Sequence, residues 1–193
     1  KNKNAITLMF ASTHFGEERI LLPAIKDLMV EFNHLRVVIA PRHPERAKKI
    51  ISMCSTFNLF SRLESSVSDD KKSIIVINTF GILERYFSIS DIVFLGGSMI
   101  DAGGHNPIEP ARHKCVILTG PKIFNWQNIF EDMWVNKASI KIKDVAELKM
   151  QLKTLILDTN QREIMKNNAF NFAQKQFVDK NAIKNIINDK MNL

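Results

Sequence analysis

Cysteine is close to absent. Cys54 and Cys115 are the only two in 193 residues, and they have neither metal-ligand spacing nor a partner pattern. A disulfide framework and a cysteine-built metal site are therefore not expected; both read as buried thiols in a reducing, cytoplasmic setting. Long apolar runs are missing too. The longest, such as Ile74 to Ile77 and Val116 to Leu118, fall far short of the roughly 20 residues that span a bilayer, so no transmembrane helix is expected. No leader is visible: Lys1-Asn2-Lys3-Asn4 lacks an initiator Met and runs straight into an apolar segment, and the expectation is a piece of something longer. Internal repeats, low-complexity tracts and clusters of His, Cys, Asp and Glu at metal-ligand spacing are also missing, so neither a metal nor a cofactor is expected.

What is present is an ordinary globular composition with a basic balance. A 45% hydrophobic content over 193 residues supports one well-buried core and a single domain across residues 1–193. The net charge of +7 would suit nucleic acid, an anionic membrane surface or a phosphorylated ligand. Its lysines, however, are dispersed through the C-terminal third among asparagines, without the aromatic interleaving of a single-strand binder. They read as a solvated helix face, and a basic nucleic-acid-binding module is the weakest of the readings considered.

Apolar β-type runs recur at Ala5 to Ala11, Arg36 to Ala40, Ser73 to Thr79, Asp91 to Gly96 and Cys115 to Thr119, each followed by a stretch of helical periodicity. That alternation predicts an α/β fold, a Rossmann-like parallel sheet with helices on both faces. Ile20, Leu21, Ala24, Ile25, Leu28, Met29 and Phe32 mark the face of a first crossover helix. Pro44 and Pro107 sit where a first helical turn is expected. Arg62 to Lys72 reads as a short edge strand and a polar loop. From Asp144 onward Val145, Leu148, Leu152, Leu155 and Ile156 mark a helix. Gln161 to Leu193 suggests one or two more, anchored by Phe170, Phe172, Phe177, Ile183, Ile186 and Ile187.

In an open parallel sheet ligands bind beyond the carboxyl ends of the strands, which singles out four loops. The first, Ser12-Thr13-His14-Phe15-Gly16-Glu17-Glu18, offers hydroxyls, an imidazole and two carboxylates that suit a helix N-terminus; His14 is equally readable as a structural hydrogen-bonder and as a ligand group. The second, Pro41-Arg42-His43-Pro44-Glu45-Arg46, presents Arg42 rigidly between prolines, as a phosphate or carboxylate site would; Arg46 is left open. The third, Asn78-Thr79-Phe80-Gly81-Ile82, places a glycine where backbone can approach a flat ligand. The fourth runs from Gly96-Gly97-Ser98 to Gly103-Gly104-His105-Asn106-Pro107-Ile108-Glu109-Pro110-Ala111. Asn106 and Pro107 make a helix start there, a natural anion site. Glu109 stands at capping-box spacing from Asn106, yet could equally bind a ribose diol.

The first, second and fourth of these segments resemble, in order and spacing, the donor-domain motifs of 3-deoxy-D-manno-octulosonic acid (Kdo) transferases, over about Ala5 to Lys137. The resemblance implies the C-terminal half of a GT-B glycosyltransferase, binding CMP-Kdo. Its parent would transfer Kdo to a lipid A precursor in lipopolysaccharide core biosynthesis, on the cytoplasmic face of the bacterial inner membrane. It implies CMP contacts at Pro41, Arg42, Phe80, Gly81, Ile82, Asn106, Pro107, Ile108 and Glu109, with Ser12, Thr13, His14, Gly104 and His105 as further donor-site residues. It also implies no catalytic residue in this chain, because the family's general base and acceptor groove lie in an N-terminal domain, and no metal. The third loop departs from the pattern, which would put Asp at position 78 and Glu at position 82. A GT-B donor domain for a UDP-sugar is the alternative.

Overall fold

The computed structural model describes residues 5–66 and 73–191, with side chains described as far as residue 176. Seven parallel strands form one sheet in the order β3-β4-β2-β1-β5-β6-β7. They are β1 Ile6–Thr13, β2 Leu35–Pro41, β3 Ser61–Leu63, β4 Ile74–Val76, β5 Ile92–Leu95, β6 Val116–Thr119 and β7 Ile140–Lys141. The helices are α1 Glu17–Glu31, α2 Ala47–Thr56, α3 Leu83–Phe87, α4 Ile108–Arg112, α5 Gln127–Val135, α6 Val145–Leu157 and α7 Thr159–Met191.

The strand periodicity accounts for two apolar layers. Leu8 and Phe10 of β1 point into a core shared with α1, α2 and α6, whereas Met9 and Ala11 point into one shared with α3, α4, α5 and α7. Side chains alternate across a strand, so a strand buried on both faces must be apolar at nearly every position. β1 is buried at all positions except Ser12. On α1 the buried face is Leu21, Leu22, Ala24, Ile25 and Leu28. Leu21, Ala24, Ile25, Leu28 and Phe32 of the expected face are buried, whereas Ile20 is exposed and Leu22 is buried in addition. Cys54 and Cys115 are both buried, and among the described residues neither forms a disulfide.

The five expected strands are present, and β3 is the edge strand read from the polar stretch after Arg62. β7 was not anticipated. Two residues at an edge carry no periodicity, and what defines β7 is the pairing of Ile140 with Leu118 and of Lys141 with Thr119. α6 starts where Asp144 accepts a hydrogen bond from the Glu147 N–H at 2.8 Å, an N-cap on the expected residue. α7 is one helix and not two. Phe172 is buried on it and Phe170 half-buried, while Phe177, Ile183, Ile186 and Ile187 have no described side chains, and residues 67–72 of the polar loop expected between Arg62 and Lys72 lie outside the described residues.

The topology fixes where a ligand can sit. From β1 the chain lays β2 beside it, passes to β3 at the edge and back to β4 between β3 and β2, then returns to lay β5 on the other side of β1. β1 and β5 therefore flank the point at which the winding reverses, and the loops leaving their carboxyl ends diverge there to open a crevice.

Candidate functional site

Both loops at this switch point are built around one side chain. Ser12 adopts φ 57, and the β1–β2 register slips between Ala11 and Thr13; such a bulge re-aims the end of the strand. Gly16, at φ 88, then begins α1, which brings Glu17 back under the loop that follows β5. Glu17 is fully buried. Its Oε2 accepts hydrogen bonds from the His14 N–H at 3.1 Å and the Gly97 N–H at 2.7 Å, and its Oε1 from the Ser98 N–H at 3.2 Å and the Met99 N–H at 3.1 Å. Burial pushes the Glu17 carboxyl above its ordinary value, against the opposing pull of these four backbone donors.

The glycine pair after β5 answers to this clamp. A Cβ on Gly96 would lie 2.7 Å from the Ser12 carbonyl oxygen and 2.8 Å from Glu17 Oε2, so only glycine lets β5 end against β1 so closely. Ser98, also buried, donates to the Leu95 carbonyl at 2.5 Å and accepts from the Gly120 N–H at 2.8 Å, which fastens the loop after β6 to the same frame.

Glu18 and Arg46 form a second buried element. Glu18 Oε1 accepts from the Thr13 hydroxyl and Oε2 from Arg46 Nη2, both at 2.7 Å, and Arg46 Nη1 donates to the Thr13 carbonyl at 3.2 Å. Arg46, left open on sequence grounds, is thereby a structural residue: its charge is spent on a carboxylate with no exposure. Thr13 too is turned into the fold. Arg46→Met is expected to lower stability by about 2–3 kcal/mol, because it strands the buried Glu18 carboxylate; thermal unfolding measures it, and an unchanged midpoint would contradict the structural role.

The remaining expected residues face outward. Pro41 ends β2 buried, and the Arg42 N–H donates to the Thr13 carbonyl at 2.9 Å, so the Arg42 backbone is anchored to the end of β1. Its guanidinium is exposed, and among the described residues no hydrogen bond or ion pair holds it. The loop after β4 carries Phe80, which is 70% exposed, and Gly81 at φ 79, whose Cβ would have met nothing within 4 Å. Glycine is required there by backbone conformation and not by crowding. Asn78 holds this loop from behind: its amide donates to the Ser65 hydroxyl at 3.0 Å and accepts from the Ser65 N–H at 3.3 Å.

At the fourth loop the Asn106 side-chain oxygen accepts from the Ile108 N–H at 3.0 Å, and its amide donates to Glu109 Oε1 at 3.3 Å. The capping-box alternative required Glu109 to reach back to the Asn106 main-chain N–H; the side-chain contact it makes instead leaves the carboxylate exposed. Gly103 and Gly104 stand in the left-handed region at φ 84 and 73. Gly103 backs onto Phe124 and Asn125 and Gly104 onto Ile123, so the loop after β6 supports the approach to α4. His105 Nε2 lies 2.8 Å from His14 Nε2, joining the first and fourth loops directly. α3 packs on α4, which sets the Phe80–Ile82 loop on the same edge as Asn106–Glu109, with no hydrogen bond or ion pair between the two among the described residues. Among the described residues no group of three or more His, Cys, Asp or Glu is arranged to hold a metal ion.

Sequence reasoning missed Glu17. Its place at the first helical position after a glycine suited a helix-dipole explanation, and the four donors it binds lie in part 80 residues further on. The Gly96-Gly97-Ser98 run was the available signal: consecutive N–H groups leaving a strand end call for an acceptor.

No family model matches the chain. Curated relatives do. The chain is 35% identical over 178 residues to a 3-deoxy-D-manno-octulosonic acid transferase of Rickettsia felis, a match covering 89% of this chain and 38% of that protein. It is 31% identical over 160 residues to the transferase of the same name from Haemophilus influenzae, covering 81% and 38% respectively. The chain thus spans well under half the length of these relatives. Among solved structures it is similar to the C-terminal CMP-Kdo binding domain of WaaA from Acinetobacter baumannii, with a TM-score of 0.84, 26% identity, and coverage of 89% of this chain and 91% of that one. The C-terminal domain of a group 1 family glycosyl transferase from Francisella tularensis shares the fold alone, at a TM-score of 0.62 and 17% identity. The seven-stranded sheet is accordingly that of the C-terminal half of a GT-B glycosyltransferase, and the chain belongs to the 3-deoxy-D-manno-octulosonic acid transferase family.

Proposed function

We propose that this chain is the donor-binding domain, over residues 1–193, of a glycosyltransferase that moves Kdo from CMP-Kdo to a lipid A precursor. The observation that carries this reading is a division of labour among charges at the switch point. Glu17, Glu18 and Arg46 are consumed by the fold, whereas Arg42, on the loop after β2, and Glu109, in the first turn of α4, are exposed and held loosely or not at all. A guanidinium on an anchored backbone suits a phosphate, and a carboxylate in the first turn of a helix suits a ribose diol.

In this reading Arg42 offsets the phosphate charge that grows as CMP departs, and the backbone from Asn106 to Ile108 adds the dipoles of a helix start. Pro41 and the open backbone of Phe80, Gly81 and Ile82 receive the cytosine. With Asn78 engaged by Ser65, base recognition in this loop rests on backbone groups, which tolerates Ile82 in place of an acid. Ser12, Thr13, His14, Gly104 and His105 shape the crevice floor. The general base and the acceptor groove belong to the part of the parent that these residues do not supply, and the parent works at the cytoplasmic face of the inner membrane. Among the described residues no helix is long and apolar enough to cross a membrane.

Calorimetric titration with CMP, UMP and AMP at moderate salt tests the reading. Binding of CMP in preference to the other two is the expected result. Preference for UMP would point to a UDP-sugar donor, and steeply salt-dependent binding of DNA or RNA that CMP leaves unaffected would replace the reading altogether.

A further inference from the structure

His14 and His105 stand on the two loops of the switch point and meet side chain to side chain across them. Their Nε2 atoms stand 2.8 Å apart, and their ring centroids lie 5.0 Å apart with planes 22° from parallel, so the rings meet end to end. Two imidazole nitrogens at hydrogen-bond distance share a single proton: one ring donates its Nε2–H and the other accepts with its lone pair. A second proton between them is impossible, but a proton added at Nδ1 of the donating ring leaves the Nε2–H···Nε2 bond intact and turns it into a stronger, charge-assisted one. The pair can therefore exist as a neutral or a singly charged unit without opening the loops.

The surroundings bias the ligand-free pair to the neutral form. Partial burial, with the cationic side chains of Arg46 and Arg42 and the His43 ring nearby, lowers the pKa of His14, and Glu18 alone pulls the other way. Burial, His14 and Arg42 lower that of His105 to about 4. Glu17 faces the same loop but is engaged by the His14 main-chain N–H. Arg42 thus acts on both rings, and a phosphate that neutralises Arg42 would remove one repulsion and add an attraction.

We propose that the His14–His105 pair is the proton-accepting element of the anion site, taking up one proton from solvent when a phosphate settles beside Arg42 and presenting an imidazolium to it. The inference rests on the nucleotide reading above. The proton enters at Nδ1 of the donating ring and returns to solvent when the nucleotide leaves, so the pair supplies a positive charge only while the phosphate is present. This adds a positioning and charge-compensating role to residues that the helix start and Arg42 do not cover.

The test is titration of the chain with cytidine 5′-methyl phosphate, a phosphodiester that does not itself titrate near neutrality, in buffers of different ionisation enthalpy at about pH 6.5, the ordinary histidine value. The slope of observed enthalpy against buffer enthalpy counts protons. Uptake of roughly half a proton is expected at that pH if the anion restores an ordinary histidine pKa. The double variant His14→Gln with His105→Gln, which removes both titrating rings, is expected to bind more weakly and with the uptake abolished. Binding by the parent chain with no buffer dependence overturns the inference and leaves the nucleotide reading standing. Equal uptake in the parent chain and the double variant overturns it as well. Absence of binding by the parent chain overturns the nucleotide reading, and this inference falls with it.

Discussion

Glu17→Ala is expected to lower the stability of the domain by about 3–5 kcal/mol, at the upper end of what one substitution does. The side chain carries little apolar surface, so the loss does not come from hydrophobic burial. It comes from the four N–H groups of His14, Gly97, Ser98 and Met99 that the carboxylate binds in a site with no exposure. Each buried donor left without an acceptor costs about 1–3 kcal/mol, and the total is less than four times that because water can enter the space the side chain vacates. Glu17→Gln is expected to recover about half of the loss. It keeps one oxygen for one pair of donors and turns an amide N–H₂ toward the other pair. Urea unfolding of the two variants beside the parent chain measures this, and a cost below about 1 kcal/mol for Glu17→Ala would show that the loops at the switch point hold together without the clamp. The substitution should also loosen the Gly96–Asn106 approach to α4 and so weaken nucleotide binding, a secondary effect that the Arg42 comparison below separates from direct loss of a ligand contact.

The difference between Glu17 and Glu109 shows how far residues alone could be read. Both are acids in the first turn of a helix, and local sequence offers each an explanation that needs no ligand, the helix dipole for Glu17 and a capping box for Glu109. One is buried under a loop that lies 80 residues away in the chain, and the other points to solvent; nothing within either helix distinguishes them. Arg42 and Arg46 repeat the lesson four residues apart, since only the folded position of Glu18 decides which guanidinium is consumed. The strands were legible because burial on both faces demands an unbroken apolar run, which leaves a mark in the residues themselves. β7 was not, because its two residues owe their conformation to the exposed edge of β6. The stripe on α1 was read correctly except at one edge, where Ile20 and Leu22 are equally apolar and only the docking of the helix against the sheet determines which one faces inward.

Arg42→Ala is expected to weaken CMP binding by about 2–3 kcal/mol, a loss of roughly 30- to 150-fold in affinity, with no measurable change in unfolding midpoint. The reason is the separation of backbone from side chain at this position. The Arg42 main-chain N–H supports the end of β1 through the Thr13 carbonyl and survives any side-chain change except proline. The guanidinium makes no described contact whose loss would be felt in the unliganded fold. Arg46→Met is the mirror image: stability falls, and the CMP affinity of the molecules that remain folded changes little. Glu109→Ala should resemble Arg42→Ala in kind but be smaller, about 1–2 kcal/mol, because a ribose diol is a neutral partner that competes with the Asn106 amide. Calorimetry of the three variants at one salt concentration, paired with thermal unfolding, reads both axes at once. Unchanged affinity in both Arg42→Ala and Glu109→Ala would remove the nucleotide from this crevice. A fall in the unfolding midpoint of Glu109→Ala comparable to that of Arg46→Met would instead make Glu109 part of the α4 cap, with the exposed carboxylate serving the helix and not a ligand.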